Sequence, residues 1–469
     1  KELHSPEGVY TTQYEYGIDM KGTDQKGSAM TREYTEVDGS AISKKYAYDF
    51  NTGSILAEED GNGNRTEYEV DVFGRVTKQT LPDRTYKLYE YRDFAYSDKE
   101  IVYTDAAGTK FLYRYDIAGN MLIASVYDRG QWNLLKKLDY DSNGNKLKEV
   151  DSNGHSVRFT YDSKNRPVIK AYYENDSVKK SEQTLSYANI ANEGSVLLLS
   201  VTDEEGYTQK FYYDANSNLV KSELTPDNEV FYASTFVHDY IGNKRKQTDA
   251  KGNSETFHYD EMGRLISKTD ALGGLTAYTY NGMNKVLSIE EPEGRVTGYI
   301  YDSLGRVIME KIYEKGKQDY RFTKYEYDGA DNVLSVQRGC VSNGRESILS
   351  ETSYTYNSMK LATDEYRKVD ESDSAHIRYS YDSNGRKTTS VEYIDREESR
   401  ARTYKYKYDF AGRLVSEEGA YEFNGIKADS GVYGSYTKRY EYDYAGNLKK
   451  QELDDGALSL TTTLEYDYR

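Results

Sequence analysis

Apolar and polar positions along this chain alternate with a period of two, in short segments. Between Asn253 and Tyr259, Phe257 and Tyr259 fall on one side and Thr256 and His258 on the other. Tyr278 with Tyr280, and Tyr299 with Tyr301, repeat the arrangement. Residues two apart line one face of a strand, so each segment predicts a strand. Turn signals separate the segments: Asp249, Asp260, Asp270, Asn281, Glu291 and Asp302 follow one another at steps of 10 or 11 residues. Asp at the first turn position and Gly at the fourth favour a type I turn, with Gly taking the positive φ that closes a bulged hairpin. No long helical window interrupts the pattern, and only 5 Pro occur in 469 residues, which suits an unbroken ladder. The expected fold is all-β: a continuous antiparallel β-hairpin repeat array, two strands per repeat, in which nearest neighbours pair.

The hairpins are copies of one unit, Tyr-x-Tyr-Asp-x-x-Gly-Arg/Asn-Leu/Val. The aligned positions His238, Tyr259, Tyr280 and Tyr301 stand 21 residues apart each time. Allowing for the degenerate members Val70, Tyr91 and Tyr187, about eighteen copies run from Tyr48 to Tyr466. Residues 1–45 read as degenerate lead-in repeats around Tyr14-Glu15-Tyr16, and 46–469 as the array proper. Longer inter-repeat loops are expected near 170–180, 342–350 and 421–437.

A unit of this kind resembles the YD-repeat, or Rhs-repeat, family, whose members include bacterial polymorphic-toxin proteins, wall-associated proteins, C components of insecticidal toxin complexes, and the animal teneurins. Carried over residue by residue, the family's repeat positions are Tyr48/Asp49, Tyr115/Asp116 with Gly119, Tyr140/Asp141 with Gly144, Tyr161/Asp162, and Tyr213/Asp214. They continue at Tyr259/Asp260 with Gly263 and Arg264, Tyr301/Asp302 with Gly305 and Arg306, and Tyr327/Asp328. The last are Tyr381/Asp382 with Gly385 and Arg386, Tyr408/Asp409 with Gly412 and Arg413, and Tyr442/Asp443 with Gly446. Asn281 and Asn357 replace Asp; Asn165, Ser217, Asn284 and Asp331 replace the turn Gly. Asn and Asp tolerate the left-handed region, so most of these turns are expected to survive.

The resemblance implies a spiralling β-sheet that forms a curved or hollow shell. It implies a non-enzymatic structural segment of a secreted or cell-surface bacterial protein, enclosing or scaffolding a C-terminal toxin-type polypeptide cargo. That cargo, and the self-cleaving core segment of toxin-bearing members, are not recognisable before the chain's last residues, Glu465-Tyr466-Asp467-Tyr468-Arg469, and the chain is expected to be a fragment of a longer polypeptide. The alternative is an adhesin-like module that binds cell-surface glycan or protein partners through its Tyr-rich surface.

Composition narrows the picture. There are 51 Tyr, and without them about a quarter of the chain is apolar, a low share for a globular protein. Tyr must supply much of the buried area, which suits thin layers where the ring is covered and the hydroxyl reaches a polar partner. With 62 Lys and Arg against 79 Asp and Glu, the net charge of −17 argues against a nucleic-acid surface. The longest apolar stretch, Val196 to Leu199, is too short to span a bilayer. The lone Cys340, placed on a loop, excludes a disulfide framework and a Cys-rich metal site.

Candidate chemistry is sparse. Asp139-x-Asp141-x-Asn143-Gly144 matches the start of a calcium loop, but Val150 stands where the bidentate Glu belongs, so a plain hairpin turn is the preferred reading. His4, His155, His238, His258 and His376 show no triad spacing. Carboxylate pairs such as Glu290/Glu291 and Glu397/Glu398 read as solvated charge. No catalytic, cofactor or metal residue is assigned. The recurring Tyr at i and i+2 is expected to stack on its counterparts across strands and hold neighbouring hairpins together.

Overall fold

A computed structural model describes residues 2–464 apart from 6, 7, 28, 38, 39, 94–97, 193, 194, 226–231, 369–373, 394–397, 399, 424, 425, 428–434 and 457. Among these residues there are strands, turns and bends but no helix. The Tyr466-Asp467 copy lies outside them, as does most of 421–437.

The architecture is one antiparallel meander. Strands pair with those before and after them in sequence, from Gly8–Tyr16 on Met30–Val37 to Leu448–Asp454 on Ser459–Thr463, except that the two-residue strand Ile426–Lys427 is bypassed and Leu414–Phe423 pairs with Tyr436–Tyr442. The ladder passes from Met30–Val37 through Ser40–Tyr48 into Ile55–Glu59 without interruption. Within the repeats, the register slips by one residue just before the Tyr of the unit, as at His258/Tyr259 and Ile300/Tyr301. That slip is the bulge required by a turn that closes with a left-handed residue.

The longer repeats are longer for a different reason than their polar composition suggests. Around 170–180 and 342–350 there are no long loops. Pro167–Glu174 pairs with the fifteen-residue strand Val178–Asn192, and Val333–Ser342 with Arg345–Tyr356. The extra residues lengthen the strands and leave tight turns at the tips. Cys340 accordingly sits inside a strand, half-buried opposite Ser347, and not on a loop.

Among the described residues, the strand pairs in extensive backbone contact are all ladder neighbours. The sheet is therefore one layer thick, with no second layer to bury a face. The chain exposes 27920 Å², whereas a compact protein of 53.8 kDa would expose about 18,000 Å². An excess of that size needs a wall exposed on both sides.

The wall curls back on itself. Hydrogen bonds join turns separated by 266 to 316 residues, although their strands are never ladder neighbours. In a meander the turns alternate between two edges of the sheet. One edge carries the turns that follow the repeat Tyr, here the YD edge; the other carries the turns between repeats. The contacts join the between-repeat turns of residues 60–154 to the YD-edge turns of residues 328–444. Successive windings of a spiral thus meet edge to edge along a seam.

Candidate functional site: the repeat node and the winding seam

Every repeat Tyr assigned from sequence is the last residue of its strand: Tyr48, Tyr115, Tyr140, Tyr161, Tyr213, Tyr259, Tyr301, Tyr327, Tyr381, Tyr408 and Tyr442. The Asp that follows opens the turn. In the Asp260 turn, the Asp260 N–H donates to the Arg264 carbonyl at 3.0 Å and the Gly263 N–H to the Asp260 carbonyl at 3.0 Å. Carboxylate Oδ1 accepts the N–H groups of Met262 and Arg264, and Oδ2 accepts Arg264 Nε at 2.7 Å. One carboxylate therefore satisfies two loop donors and fixes a guanidinium. Asp302, Asp382 and Asp409 do the same with Arg306, Arg386 and Arg413. Where the turn ends in Asn, the amide takes the guanidinium's place: Asn120 on Asp116, Asn145 on Asp141, Asn218 on Asp214, Asn332 on Asp328 and Asn447 on Asp443. Asp49 departs, with a turn one residue longer whose carboxylate accepts Asn51 and Thr52 N–H.

The closing residue takes positive φ, from 76° at Gly263 to 107° at Gly446, and Asn165, Ser217, Asn284 and Asp331 take 59–69° in the same place. Asp141, the centre of the calcium-like stretch, is engaged by Asn143, Asn145 and its own loop. Among the described residues no group of three or more His, Cys, Asp or Glu is arranged to hold a metal.

These contacts explain the Asn281 and Asn357 departures. Each accepts two loop N–H groups through Oδ1, as Asp would. Their fourth following residues are Lys285 and Leu361, and neither provides the Nε or amide donor that a second carboxylate oxygen receives elsewhere. On the YD edge, the Asp49 turn apart, the first and fifth turn positions thus vary together, a signal present in the sequence; between repeats Asp105, Asp203 and Asp270 stand before Thr109, Tyr207 and Gly274 without that pairing.

Neighbouring repeats are joined by Arg and the Tyr hydroxyl more than by ring-on-ring stacking. Arg306 lies over the Tyr327 ring at 4.7 Å and donates to the Asp328 carbonyl at 2.9 Å. Arg386 and Arg413 reach Tyr408 and Tyr442 in the same way. The Tyr hydroxyl donates back to the preceding repeat: Tyr259 to Lys244 O, Tyr301 to Val286 O, Tyr327 to Val307 O and Tyr381 to Ala362 O. Where the turn reads Gly-Asn-Lys, the Lys supplies the cation instead: Lys146 lies over Phe159 and Lys244 over Phe257. The expected Tyr stacking needs correction. The i, i+2 pairs Tyr299–Tyr301 and Tyr325–Tyr327 stand 6.4 Å apart on one strand, while cross-strand ring contacts are local, as at Tyr89–Tyr103 and Tyr366–His376–Tyr393. Where the preceding turn ends in Arg, the guanidinium lies over the strand-end Tyr, as at Tyr91, Tyr187, Tyr280, Tyr327, Tyr408 and Tyr442; where it ends in Asn-Lys, the Lys lies over the aromatic two residues earlier.

The remaining histidines are dispersed. His258 is exposed, His238 ends its strand in the Tyr position, and His155 caps Asp151. His376 is buried, with Nδ1 2.8 Å from Glu398 and Nε2 2.9 Å from Asp364. His4 and Glu397 have no described side chains.

The seam is built from the same turns. Asn62 Nδ2 donates to Asp328 Oδ2 at 2.8 Å, Asn384 Nδ2 to Asp105 Oδ2 at 2.8 Å, and Asn153 Nδ2 to Asp443 Oδ2 at 2.6 Å. The Tyr444 hydroxyl donates to Asp128 at 3.0 Å, and Lys360 pairs with Asp60 at 3.3 Å. Burial pushes the Asp328 and Asp443 carboxyls up, but the converging amide and backbone donors outweigh it and hold both below the ordinary carboxylate range. The closest approach is backbone on backbone. A Cβ on Gly61 would lie 1.9 Å from the Gly329 carbonyl oxygen, and one on Gly329 2.5 Å from that of Gly61. Sequence reasoning missed this pair; the signal was a Gly directly after the turn Asp in just these two described turns of the seam.

The class this geometry defines is a single-layer β-hairpin repeat wall, wound into a spiral. The RHS Repeat model matches residues 140–177 and 238–275. The chain is 31% identical to human Teneurin-1 over 136 residues, which is 28% of this chain and 5% of that protein; mouse Teneurin-1 matches equally. The crystal structure of TcdB2-TccC3-TEV is similar over 98% of this chain and 28% of that one, at 16% identity and a TM-score of 0.54, a likeness of fold. The hairpins of residues 140–177 and 238–275 match Rhs repeats, and the chain resembles the YD/Rhs-repeat family. The chain spans about a twentieth of the length of the teneurins and about a quarter of that of TcdB2-TccC3-TEV.

Proposed function

We propose that this chain is a wall segment of a container, in a secreted or surface-displayed protein, whose inner face encloses or scaffolds a polypeptide of the toxin type. One observation supports this above others: a one-layer sheet passes a full winding and closes edge to edge, a geometry that surrounds space without filling it. The turn carboxylates and hydroxyls are engaged in loop closure and repeat joining, so the wall's chemistry is structural and the segment is non-enzymatic. The glycan-binding alternative has less support: Tyr327, Tyr408 and Tyr442 have an Arg over one face, and Tyr161, Tyr259, Tyr301, Tyr327, Tyr381 and Tyr408 direct their hydroxyls at main chain.

The test is protection. A protease-sensitive polypeptide fused behind Arg469 should be cleaved at least about tenfold more slowly than the same polypeptide fused behind a compact β-sandwich. Equal rates would remove the container reading and leave a scaffold.

A further inference from the structure

The three Asn side chains that donate across the seam share their next residue. Asn62, Asn153 and Asn384 are followed by Gly63, Gly154 and Gly385. Gly lacks the Cβ that would otherwise hinder its nitrogen from reaching the preceding side-chain amide. Such an attack needs two groups free: the Gly nitrogen, which bonds to Asn Cγ, and the Asn Nδ2, which leaves. In the closed seam both are engaged. The N–H groups of Gly63, Gly154 and Gly385 donate to the carbonyls of Asp60, Asp151 and Asp382 at 2.9, 3.2 and 2.9 Å. The Nδ2 groups donate to Asp328, Asp443 and Asp105 of another winding at 2.8, 2.6 and 2.8 Å. Asn384 Oδ1 also accepts the Ala107 N–H at 3.2 Å. Asn143-Gly144 has the same turn, with the Gly144 N–H on the Asp141 carbonyl at 3.1 Å, but its amide goes to Asn165 of the adjoining repeat.

We propose that Asn62, Asn153 and Asn384 are deamidation sites that make an opening of the seam permanent. When the windings part, Nδ2 loses its acceptor and the side chain is free to turn toward the Gly nitrogen. That nitrogen, its proton passed to solvent, bonds to Cγ; the Cγ–Nδ2 bond breaks and ammonia leaves. Water then opens the cyclic imide at either carbonyl, giving aspartate or isoaspartate. Nothing is oxidised or reduced: water enters and ammonia departs. The product accepts hydrogen bonds but has no donor to offer. Each seam carboxylate then faces another carboxylate where an amide stood, and like charges in contact repel. Asp328 and Asp443 are held ionised by donors that include these amides, so the change removes a donor and adds a charge. The turn Asp that closes each loop is untouched in the aspartate product, and the loss falls on the seam.

The experiment is peptide-mapping mass spectrometry of the whole chain, held folded in mildly alkaline buffer and, in parallel, in concentrated urea. In the fold, the three seam asparagines should deamidate at least about tenfold more slowly than Asn143, because their reaction waits for a local opening. In urea the rates should converge. Asn153→Asp installs the product directly. Hydrogen exchange at 151–155 and 443–447 should then rise at least about tenfold over the wild type, and above Asn153→Ala, which removes the donor without adding charge. Asn143→Asp adds the same charge away from the seam and should leave exchange there unchanged. Circular dichroism checks that each variant folds; if one does not, the rate comparison in the unsubstituted chain still decides. Equal rates at the seam and at Asn143 in the fold overturn the proposal. So does an Asn153→Asp chain whose seam exchanges as the wild type does.

Discussion

The Asp260 turn of the first winding and the Asp328 turn of the second have the same internal construction. Each carboxylate accepts two loop N–H groups on one oxygen and a side-chain donor from the fifth turn position on the other. They differ in what lies beyond. Asp260 faces solvent with Met262 exposed, while Asp328 receives Asn62 from another winding and Gly329 abuts Gly61. The repeat node is complete without a neighbour, and the seam adds a second set of contacts to the same atoms. Local motif and tertiary closure are therefore separable, and substitution can break one while leaving the other.

The largest separation is expected at Gly61. Its counterparts in the Asp249 and Asp270 turns are Ala250 and Ala271, so the turn itself accepts a Cβ at this place. Gly61→Val should cost about 4 kcal/mol, through backbone overlap at the seam. Ala250→Val, in an exposed turn, should stay within about 0.5 kcal/mol. Hydrogen exchange resolves the two, with faster exchange at 60–64 and 328–332 in the first variant only; a repeat array does not melt as one unit.

Arg306 sharpens the comparison next. It and Asp302 are nearly enclosed, whereas Arg75 and its partners Asp71 and Asp93 are partly solvated. Arg306→Ala should cost about 3 kcal/mol, because it strands a buried carboxylate, and Arg75→Ala about 1 kcal/mol or less. Arg306→Lys should recover only part of the loss, since an ammonium cannot reach Asp302, the Asp328 carbonyl and the Tyr327 ring together. Hydrogen exchange at 302–306 and at 71–75 gives the order.

A smaller effect is expected at Asn153, whose amide crosses the seam to Asp443. Asn153→Ala should cost about 1–2 kcal/mol, whereas Asn143→Ala, in an exposed turn of the first winding, should cost less. The smallest effect is acid sensitivity. Asp328 and Asp443 titrate below the ordinary value of 3.8 in the fold. Their contribution is complete above that value and is lost as pH falls through the lower folded pKa. Exchange protection at the seam should therefore hold from neutral pH to about pH 4 and decline below it.

Much of this was readable from the residues. Alternation placed the strands, Asp and Gly placed the turns, and the Tyr-Asp unit carried the resemblance to Rhs repeats. All three are local, set by residues within about five positions of one another. The pairing of the first and fifth turn positions was equally readable and was overlooked, because Asn281 and Asn357 look like tolerated substitutions until the second carboxylate oxygen is seen to have a donor. The Tyr contacts were misjudged because a period of two shows which face a ring occupies but not what reaches it. The long hairpins at 170–180 and 342–350 were mistaken for loops because polar residues on a sheet open to water on both sides look like loop residues.

By itself, then, the sequence determined a repeating hairpin that pairs with its neighbours, since every contact in that unit spans one repeat or less. The tertiary structure alone decided how many repeats make a winding, and so which turns meet. Strand twist accumulates by small amounts over many strands, and no single repeat encodes the total. Asn62 and Asp328 carry the same turn chemistry as most neighbouring turns; curvature summed over 266 residues brings them together.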